Sequence, residues 1–138
     1  MATKRQLVDT NVLVRFFTGE PPDMAAKTRR LVERADKGEV LLVILPVIVA
    51  ETVYTLESFY EMDRKDVAAN LLSFLQSRGI ETVESARIAD ALGRCRDRNA
   101  HFADAYLAAS AVELGHPVAS FDRDFDKFKD MQRVEPKA

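Results

Sequence analysis

The stretch Leu7-Val8-Asp9-Thr10-Asn11-Val12-Leu13 decides which fold is expected. An apolar run that ends at Asp9 predicts a short buried strand, and an apolar helical pattern begins after Asn11. A carboxylate, a hydroxyl and an amide therefore share one strand-to-helix turn. Helix capping alone would explain these residue types, since all three are good N-cap residues. A functional site is favoured because three further carboxylates recur in comparable settings along the chain.

Short apolar runs alternate with helical patterns along the rest of the chain. Strands are predicted at 6–9, 40–45, 80–83, 117–120 and 132–135, and helical patterns lie between them. This alternation predicts an α/β fold with a parallel sheet that carries helices on both faces. The chain has 138 residues and no repeat or linker, so a single domain spanning residues 1–138 is expected.

Composition and charge exclude several classes of protein. Apolar residues make up 47% of the chain and charged residues 30%, as in soluble globular proteins. A net charge of −2 argues against a protein that coats nucleic acid, although it allows a local basic patch. Cys95 is the only cysteine, which excludes an internal disulfide and a cysteine-based zinc site. No signal peptide or bilayer-spanning stretch is visible, so a cytoplasmic location without a membrane is expected.

Four carboxylates are expected at one edge of the sheet. Asp9 ends the first strand, and Asp122 comes just after the strand that ends at Ser120. Glu51 and Asp104 lie early in helices that pack beside the same edge. Because ligands of open α/β sheets bind at the carboxyl ends of the strands, these four side chains are candidates for one site.

The helical neighbours of Glu51 and Asp104 include no lysine or arginine, and most of them are apolar. Both carboxylates are therefore predicted to project from core-facing sides, where an unpaired charge is costly. A helix-dipole position for Asp104 and a distant arginine for Glu51 remain alternatives. A shared cation explains all four carboxylates together. Carboxylates without histidine or cysteine favour Mg²⁺ or Mn²⁺, in a site of one or two ions.

Such a site suits hydrolysis of a phosphodiester. A bound divalent ion lowers the pKa of an attacking water and neutralises charge on the phosphate. Thr10, Asn11 and Ser120 are expected to orient the carboxylates or the waters around them.

The chain resembles the PIN domain family, and specifically its VapC-type toxins from bacterial and archaeal toxin–antitoxin pairs. The matching pieces are 8–13, Ala50-Glu51, 102–109 and 120–125, whose order covers almost the full length. The resemblance implies a three-layer α/β/α fold and a metal-dependent ribonuclease that blocks translation. It also implies the catalytic quartet Asp9, Glu51, Asp104 and Asp122, an antitoxin partner and a homodimer. The match is loosest at Asp122, since Asp124 or Asp126 could also contribute.

Two other functional classes compete with this interpretation. A phosphotransfer domain of the receiver or dehalogenase type also places an aspartate after its first strand. Dehalogenase-like enzymes need a second aspartate at the position that Asn11 occupies, and neither type needs Glu51 and Asp104. A PIN nuclease of RNA processing, or a PIN module that only binds RNA, is the second alternative. The choice of RNA target and cleavage site is not encoded in any motif.

Two further groups of residues are candidates for binding partners. Arg87, Arg94 and Arg98 have helical spacing, and His101 is expected to continue this basic stripe toward Asp104. The stripe would hold the RNA backbone, or it is an ordinary solvated helix face. The aromatic residues at 16–17 and 59–60 either belong to the core or line a groove for the antitoxin.

Overall fold

The strands form two small parallel sheets. The computed structural model describes residues 4–137. The first sheet has the order β1-β2-β3, with strands β1 (Lys4–Leu7), β2 (Val40–Ile44) and β3 (Ile80–Thr82). The second sheet pairs β4 (Val118–Ala119) with β5 (Arg133–Val134). All pairings are parallel, which confirms the predicted α/β class with parallel strands.

Six α-helices connect and flank the strands within residues 4–137. They are α1 (Thr10–Thr18), α2 (Pro22–Asp36), α3 (Pro46–Ser58), α4 (Arg64–Leu75), α5 (Ser85–Arg98) and α6 (Phe102–Leu114). A 3₁₀ helix (Arg123–Lys127) lies between β4 and β5. The six α-helices lie where the sequence predicts helical patterns between the strands, with ends that differ by a few residues, whereas the 3₁₀ helix was not predicted. None of the helices in the described part is long and apolar enough to cross a membrane.

Local chemistry explains where several helices start and stop. Pro22 and Pro46 open α2 and α3, where a missing N–H costs no hydrogen bond. Asp63 caps α4 by accepting from the backbone N–H of Lys65 at 2.9 Å. Gly115 ends α6 with φ 72°, a left-handed conformation that glycine adopts without a Cβ clash.

The core surrounds β2, whose residues Val40, Leu42 and Ile44 are almost fully buried. Helices α4, α5 and α6 contribute further buried side chains, including Leu71, Ile88, Leu92, Cys95 and Ala105. Burial raises the pKa of the Cys95 thiol to about 12, so this cysteine acts as a core residue. Ile88, Leu92 and Cys95 belong to the buried face of α5, as their helical spacing indicates.

Strand β1 lies two residues earlier in the chain and is more exposed than predicted. It ends at Leu7, two residues before Asp9, and all four of its residues are exposed, with Leu7 70% exposed. Strand β1 forms an edge of the first sheet, because β2 is its only neighbouring strand within residues 4–137. Strand β4 does not cover this edge, since it pairs with β5 in the second sheet. The backbone N–H of Val8 still donates to Val43 at 3.1 Å, which holds the end of β1 against β2.

Candidate active site

Asp9 occupies the turn between β1 and α1. It is the N-cap of α1, and its Oδ1 accepts from the N–H of Thr10 at 2.9 Å. The side chain is exposed and has no cationic partner within residues 4–137. Asp9 therefore does cap a helix, which is the role that would explain its residue type without a functional site. The capping hydrogen bond uses only one of its two carboxylate oxygens. The second carboxylate oxygen is free to bind a cation.

Glu51 lies on the outer face of α3, which corrects the prediction that it faces the core. Its apolar neighbours Val47 and Tyr54 are themselves 61% and 71% exposed. The buried face of α3 is formed by Val49, Thr52, Val53 and Leu56. The prediction assumed that the apolar helical neighbours of Glu51 mark the buried face of α3. This helix carries apolar residues on both its buried and its exposed face, so the assumption fails. The cost of burial therefore gives no reason for a cation at Glu51.

A groove of about 320 Å³ joins Glu51 to the start of α6. Its walls come from α3 and from the first residues of α6; the lining residues are Val47, Ala50, Glu51, Val53, Tyr54, Glu57, His101, Phe102 and Ala103. Asp104 follows Ala103 in the first turn of α6 and is half-buried. Helix α3 also packs against α1, which Asp9 caps. Asp9, Glu51 and Asp104 thus belong to three elements that pack consecutively.

Asp122 caps the 3₁₀ helix. Its Oδ1 accepts from the N–H of Asp124 at 2.8 Å, and its own N–H donates to Ser120 Oγ at 3.0 Å. Asp124 is ion-paired with Lys127 at 2.9 Å, and Asp126 with Arg133 at 3.0 Å. In the described chain Asp122 is the member of this trio without a cationic partner. This favours Asp122 over Asp124 and Asp126 as the fourth site residue.

Within the described residues, no side chain of Thr10, Asn11 or Ser120, the residues predicted to orient carboxylates or waters, hydrogen-bonds one of the four carboxylate groups. Ser120 accepts from the backbone of Asp122, and Thr10 contacts Asp9 through its own backbone N–H. Asn11 lines a separate groove between α1 and α2, together with Arg15 and Lys27. The predicted role of Thr10, Asn11 and Ser120 in orienting waters therefore depends only on their closeness in sequence to Asp9 and Asp122.

The donor chemistry of the four carboxylates fits a hard divalent cation. All four lack an ion pair within residues 4–137, and oxygen ligands are those that Mg²⁺ prefers. No group of three or more acidic, histidine or cysteine side chains in the described residues forms a ready metal cage. Mg²⁺ is typically held by one or two carboxylates, with waters and substrate phosphates completing the octahedron. The residues present therefore fit an ion that is bound through few protein ligands.

The predicted basic stripe on α5 is not a row of free cations. Arg87 is ion-paired with Glu84 and Glu113, at 2.9 Å each. Arg94 is ion-paired with Asp90 at 3.0 Å and donates to Asp130 Oδ1 at 2.9 Å. His101 occupies the N-cap position of α6, beyond the end of α5, so it does not continue the stripe.

Arg98 is exposed and has no ion pair within the described residues. Arg94, in contrast, is 11% exposed and lies over the Phe128 ring, with its guanidinium carbon 5.3 Å from the ring centre. Two of the three arginines therefore connect elements of the fold, and only Arg98 is available to a phosphate.

Replacing Arg94 with alanine should lower the free energy of unfolding by about 1–2 kcal/mol, from the lost ion pairs and cation–π contact. The hydrogen bond from Arg94 lowers the pKa of Asp130, so the pair stabilises the fold above about pH 4. This contribution disappears as the pH falls through the lowered pKa. Urea unfolding at several pH values tests both points, with Arg98→Ala as the matched control. Equal effects of the two variants at neutral pH would contradict the structural role of Arg94.

Arg64 is a residue that the sequence analysis did not single out. It bonds Glu57 at 3.1 Å, the carbonyl of Asn99 at 2.8 Å and His101 Nδ1 at 3.0 Å. Its partners lie up to 37 positions away in the sequence. Helical spacing cannot detect such contacts, so nothing in the sequence pattern marks Arg64.

Comparison with known proteins identifies the family. The family model of the PIN domain matches residues 7–131. The chain is also 31% identical over 123 residues to VapC ribonuclease from Aquifex aeolicus (strain VF5). That alignment covers 88% of this chain and 90% of the relative. The carboxylates at 9, 51, 104 and 122 all fall within the matched region, and the chain belongs to the PIN domain family.

Proposed function

We propose that this protein is a metal-dependent endoribonuclease and the toxin of a toxin–antitoxin pair. The observation that supports the proposal is a set of four carboxylates that lack cationic partners within residues 4–137, three of them (Asp9, Glu51 and Asp104) on helices that pack consecutively, in a PIN domain. Its similarity to a VapC ribonuclease supports RNA as the substrate. The role as a toxin rests on the same similarity.

The four carboxylates take different parts in the proposed reaction. Asp9 and Asp104 would hold Mg²⁺ or Mn²⁺, and Glu51 and Asp122 would orient water around it. When bound, the ion supplies Lewis-acid chemistry: it promotes deprotonation of water and neutralises the phosphate charge. Water attacks phosphorus and the 3′ oxygen leaves, so the products carry a 5′-phosphate and a 3′-hydroxyl.

Several secondary features belong to the same proposal. Thr10, Asn11 and Ser120 would orient bound waters, and Arg98 would contact the RNA backbone. Arg87 and Arg94 are left out because their guanidinium groups are already ion-paired. The protein would act in the cytoplasm, as a homodimer that its antitoxin inhibits.

Removal of divalent ions should abolish cleavage of single-stranded RNA. Several kcal/mol of transition-state stabilisation are lost with the ion, so a decrease of about 1,000-fold or more is expected with excess EDTA. Excess Mg²⁺ or Mn²⁺ should restore the rate. Gel assays of end-labelled RNA measure the rate, and phosphatase and ligase treatment identifies the product ends.

A substrate with a single 2′-deoxyribose at the cleavage site is the matched control. It should be cut normally, since the attacking oxygen comes from water and not from the 2′-hydroxyl. Full cleavage in EDTA, 2′,3′-cyclic phosphate ends or resistance of the deoxy substrate would each overturn the proposed mechanism.

A further inference from the structure

The groove between α3 and α6 is lined by aromatic and apolar side chains that a metal site of carboxylates does not need. Besides Glu51, its lining includes the largely exposed Tyr54 and the aromatic rings of His101 and Phe102. Its volume of about 320 Å³ lies at the small end of the range for small-molecule sites. Mostly apolar walls with a few polar groups are typical of a site for a flat organic ring.

The charge of the groove disfavours a phosphate. No lysine or arginine is among its lining residues, whereas two carboxylates are, Glu51 and Glu57. Glu57 is neutralised by Arg64, with Nε 3.1 Å from Oε1, and both side chains are largely buried. The groove therefore offers hydrogen-bonding groups and aromatic surface but no free positive charge. A neutral ligand suits it better than an anion does.

His101 is held in one protonation pattern by its neighbour. Arg64 Nη2 lies 3.0 Å from His101 Nδ1, and an arginine can only donate a hydrogen bond. Nδ1 must therefore accept, which leaves the proton of the neutral ring on Nε2. Arg64 also donates to the carbonyl and the side-chain oxygen of Asn99, two residues before His101. Asn99 thus holds Arg64, Arg64 in turn orients the ring through Nδ1, and Nε2 is left as the donor.

Tyr54 supplies the stacking surface. It follows Glu51 by three residues on α3, so the two side chains share one face of the helix. The tyrosine side chain is 71% exposed, whereas Phe16 and Phe17 pack against the core and against Phe74. Proteins that bind single-stranded nucleic acid stack unpaired bases on exposed aromatic rings of this kind, and this ring lies beside Glu51 of the proposed site.

We propose that this groove is a nucleobase pocket, in which an unpaired base of the RNA stacks on Tyr54 and accepts a hydrogen bond from His101 Nε2. The inference rests on the proposed function, since it assigns the groove to the RNA that Glu51 helps to cut. Arg64 is then a positioning residue, which acts through His101. The pocket would select the base next to the scissile phosphate.

RNA binding by the full chain tests the pocket. The binding experiments use an Asp9→Asn background, which prevents cleavage, and fluorescein-labelled single-stranded decamers of adenosine, cytidine or uridine. Tyr54→Ala should weaken binding of the preferred decamer by about 5- to 100-fold, the usual effect of removing one stacking partner. Tyr54→Phe keeps the ring and should bind within about 2-fold of the parent. Phe59→Ala is the matched control, because Phe59 is 77% exposed near the same helix but does not line the groove.

Substitutions of His101 test recognition of the base edge. His101→Ala should reduce the preference among the three decamers, and His101→Gln should restore it, because the glutamine amide can place a donor near Nε2. Arg64→Ala should reproduce the His101→Ala result and add little to it in the double variant, as expected for a residue that acts through the histidine. A merely structural role of Arg64 would lower thermal stability without changing base preference.

The remaining outcomes separate this inference from the proposed function. Equal binding of all decamers by the parent and by Tyr54→Ala overturns the pocket but leaves a nuclease possible. Failure of the parent to bind any RNA overturns both. A Tyr54→Ala variant that loses self-association, and that binds RNA normally at high protein concentration, would assign Tyr54 to a protein interface and overturn the pocket.

Discussion

Replacing Asp9 with asparagine is expected to reduce RNA cleavage by about 1,000-fold or more, while the fold stays intact. Asparagine is as good an N-cap as aspartate, so it can still accept from the N–H of Thr10. The variant therefore removes the negative charge and keeps the cap. Loss of a ligand worth several kcal/mol corresponds to a rate loss of this size, at 1.36 kcal/mol per tenfold.

Asp63 provides a matched control for the Asp9 variant. It is the N-cap of α4 and accepts a hydrogen bond from the N–H of Lys65 at 2.9 Å, and it is not one of the four carboxylates of the proposed site. Asp63→Asn should therefore cleave RNA at the normal rate. Single-turnover assays measure both variants, and unfolding curves verify that each is folded. Wild-type cleavage by Asp9→Asn would remove Asp9 from the mechanism.

The same pair of variants tests the role as a toxin. In a cell-free translation reaction, the parent protein should stop protein synthesis, and Asp63→Asn should do the same. Asp9→Asn should leave synthesis unaffected. If the parent cuts RNA but translation continues, the chain is a nuclease of RNA processing and the toxin assignment is wrong.

The order of elements could be predicted because each depends on local sequence. Asp9 and Asp63 accept capping hydrogen bonds where a capping residue precedes a helical pattern. The stripe of Ile88, Leu92 and Cys95 has helical spacing, and all three side chains are buried. These features require only neighbours within one or two turns, which is the range of information that periodicity contains.

Features that depend on distant contacts could not be predicted. Arg94 was expected to be free, but Asp130 lies 36 residues away and binds it. The spacing of charges along α5 cannot predict that the segment after β4 places Asp130 beside Arg94. Arg64 is a similar case, since its bonds to Asn99 and His101 join the start of α4 to the junction between α5 and α6.

Burial of Glu51 was predicted wrongly for a related reason. Its neighbours Val47 and Tyr54 are apolar, and apolar neighbours normally indicate a buried face. Helix α3 has apolar residues on its inner and its outer side, so its pattern does not show which face is inside. The exposed apolar side chains on the outer face are better explained by a ligand that covers them, which is the basis of the proposed nucleobase pocket.

Gly79 combines two constraints at the entrance to β3. Its φ is +82°, a conformation that costs an L-residue about 1–2 kcal/mol. A Cβ at this position would also lie 2.2 Å from the carbonyl oxygen of Ala35, near the end of α2. The carbonyl of Gly79 accepts from Leu42 N–H at 2.8 Å, so the backbone cannot move away without weakening the contact with β2.

Gly79→Ala should therefore lower the free energy of unfolding by about 3 kcal/mol or more, from left-handed strain and the backbone shift together. Gly115→Ala is the control, because Gly115 has φ +72° but an added Cβ would meet no non-neighbouring atom of the described residues within 4 Å. It should cost only the strain, about 1–2 kcal/mol. Urea unfolding measures the free energy of unfolding of both variants. Equal decreases would show that the backbone at Ala35 moves away from the added Cβ without cost. Since Gly79 precedes β3 and does not line the groove between α3 and α6, the folded fraction of Gly79→Ala should cleave RNA at the parental rate per molecule.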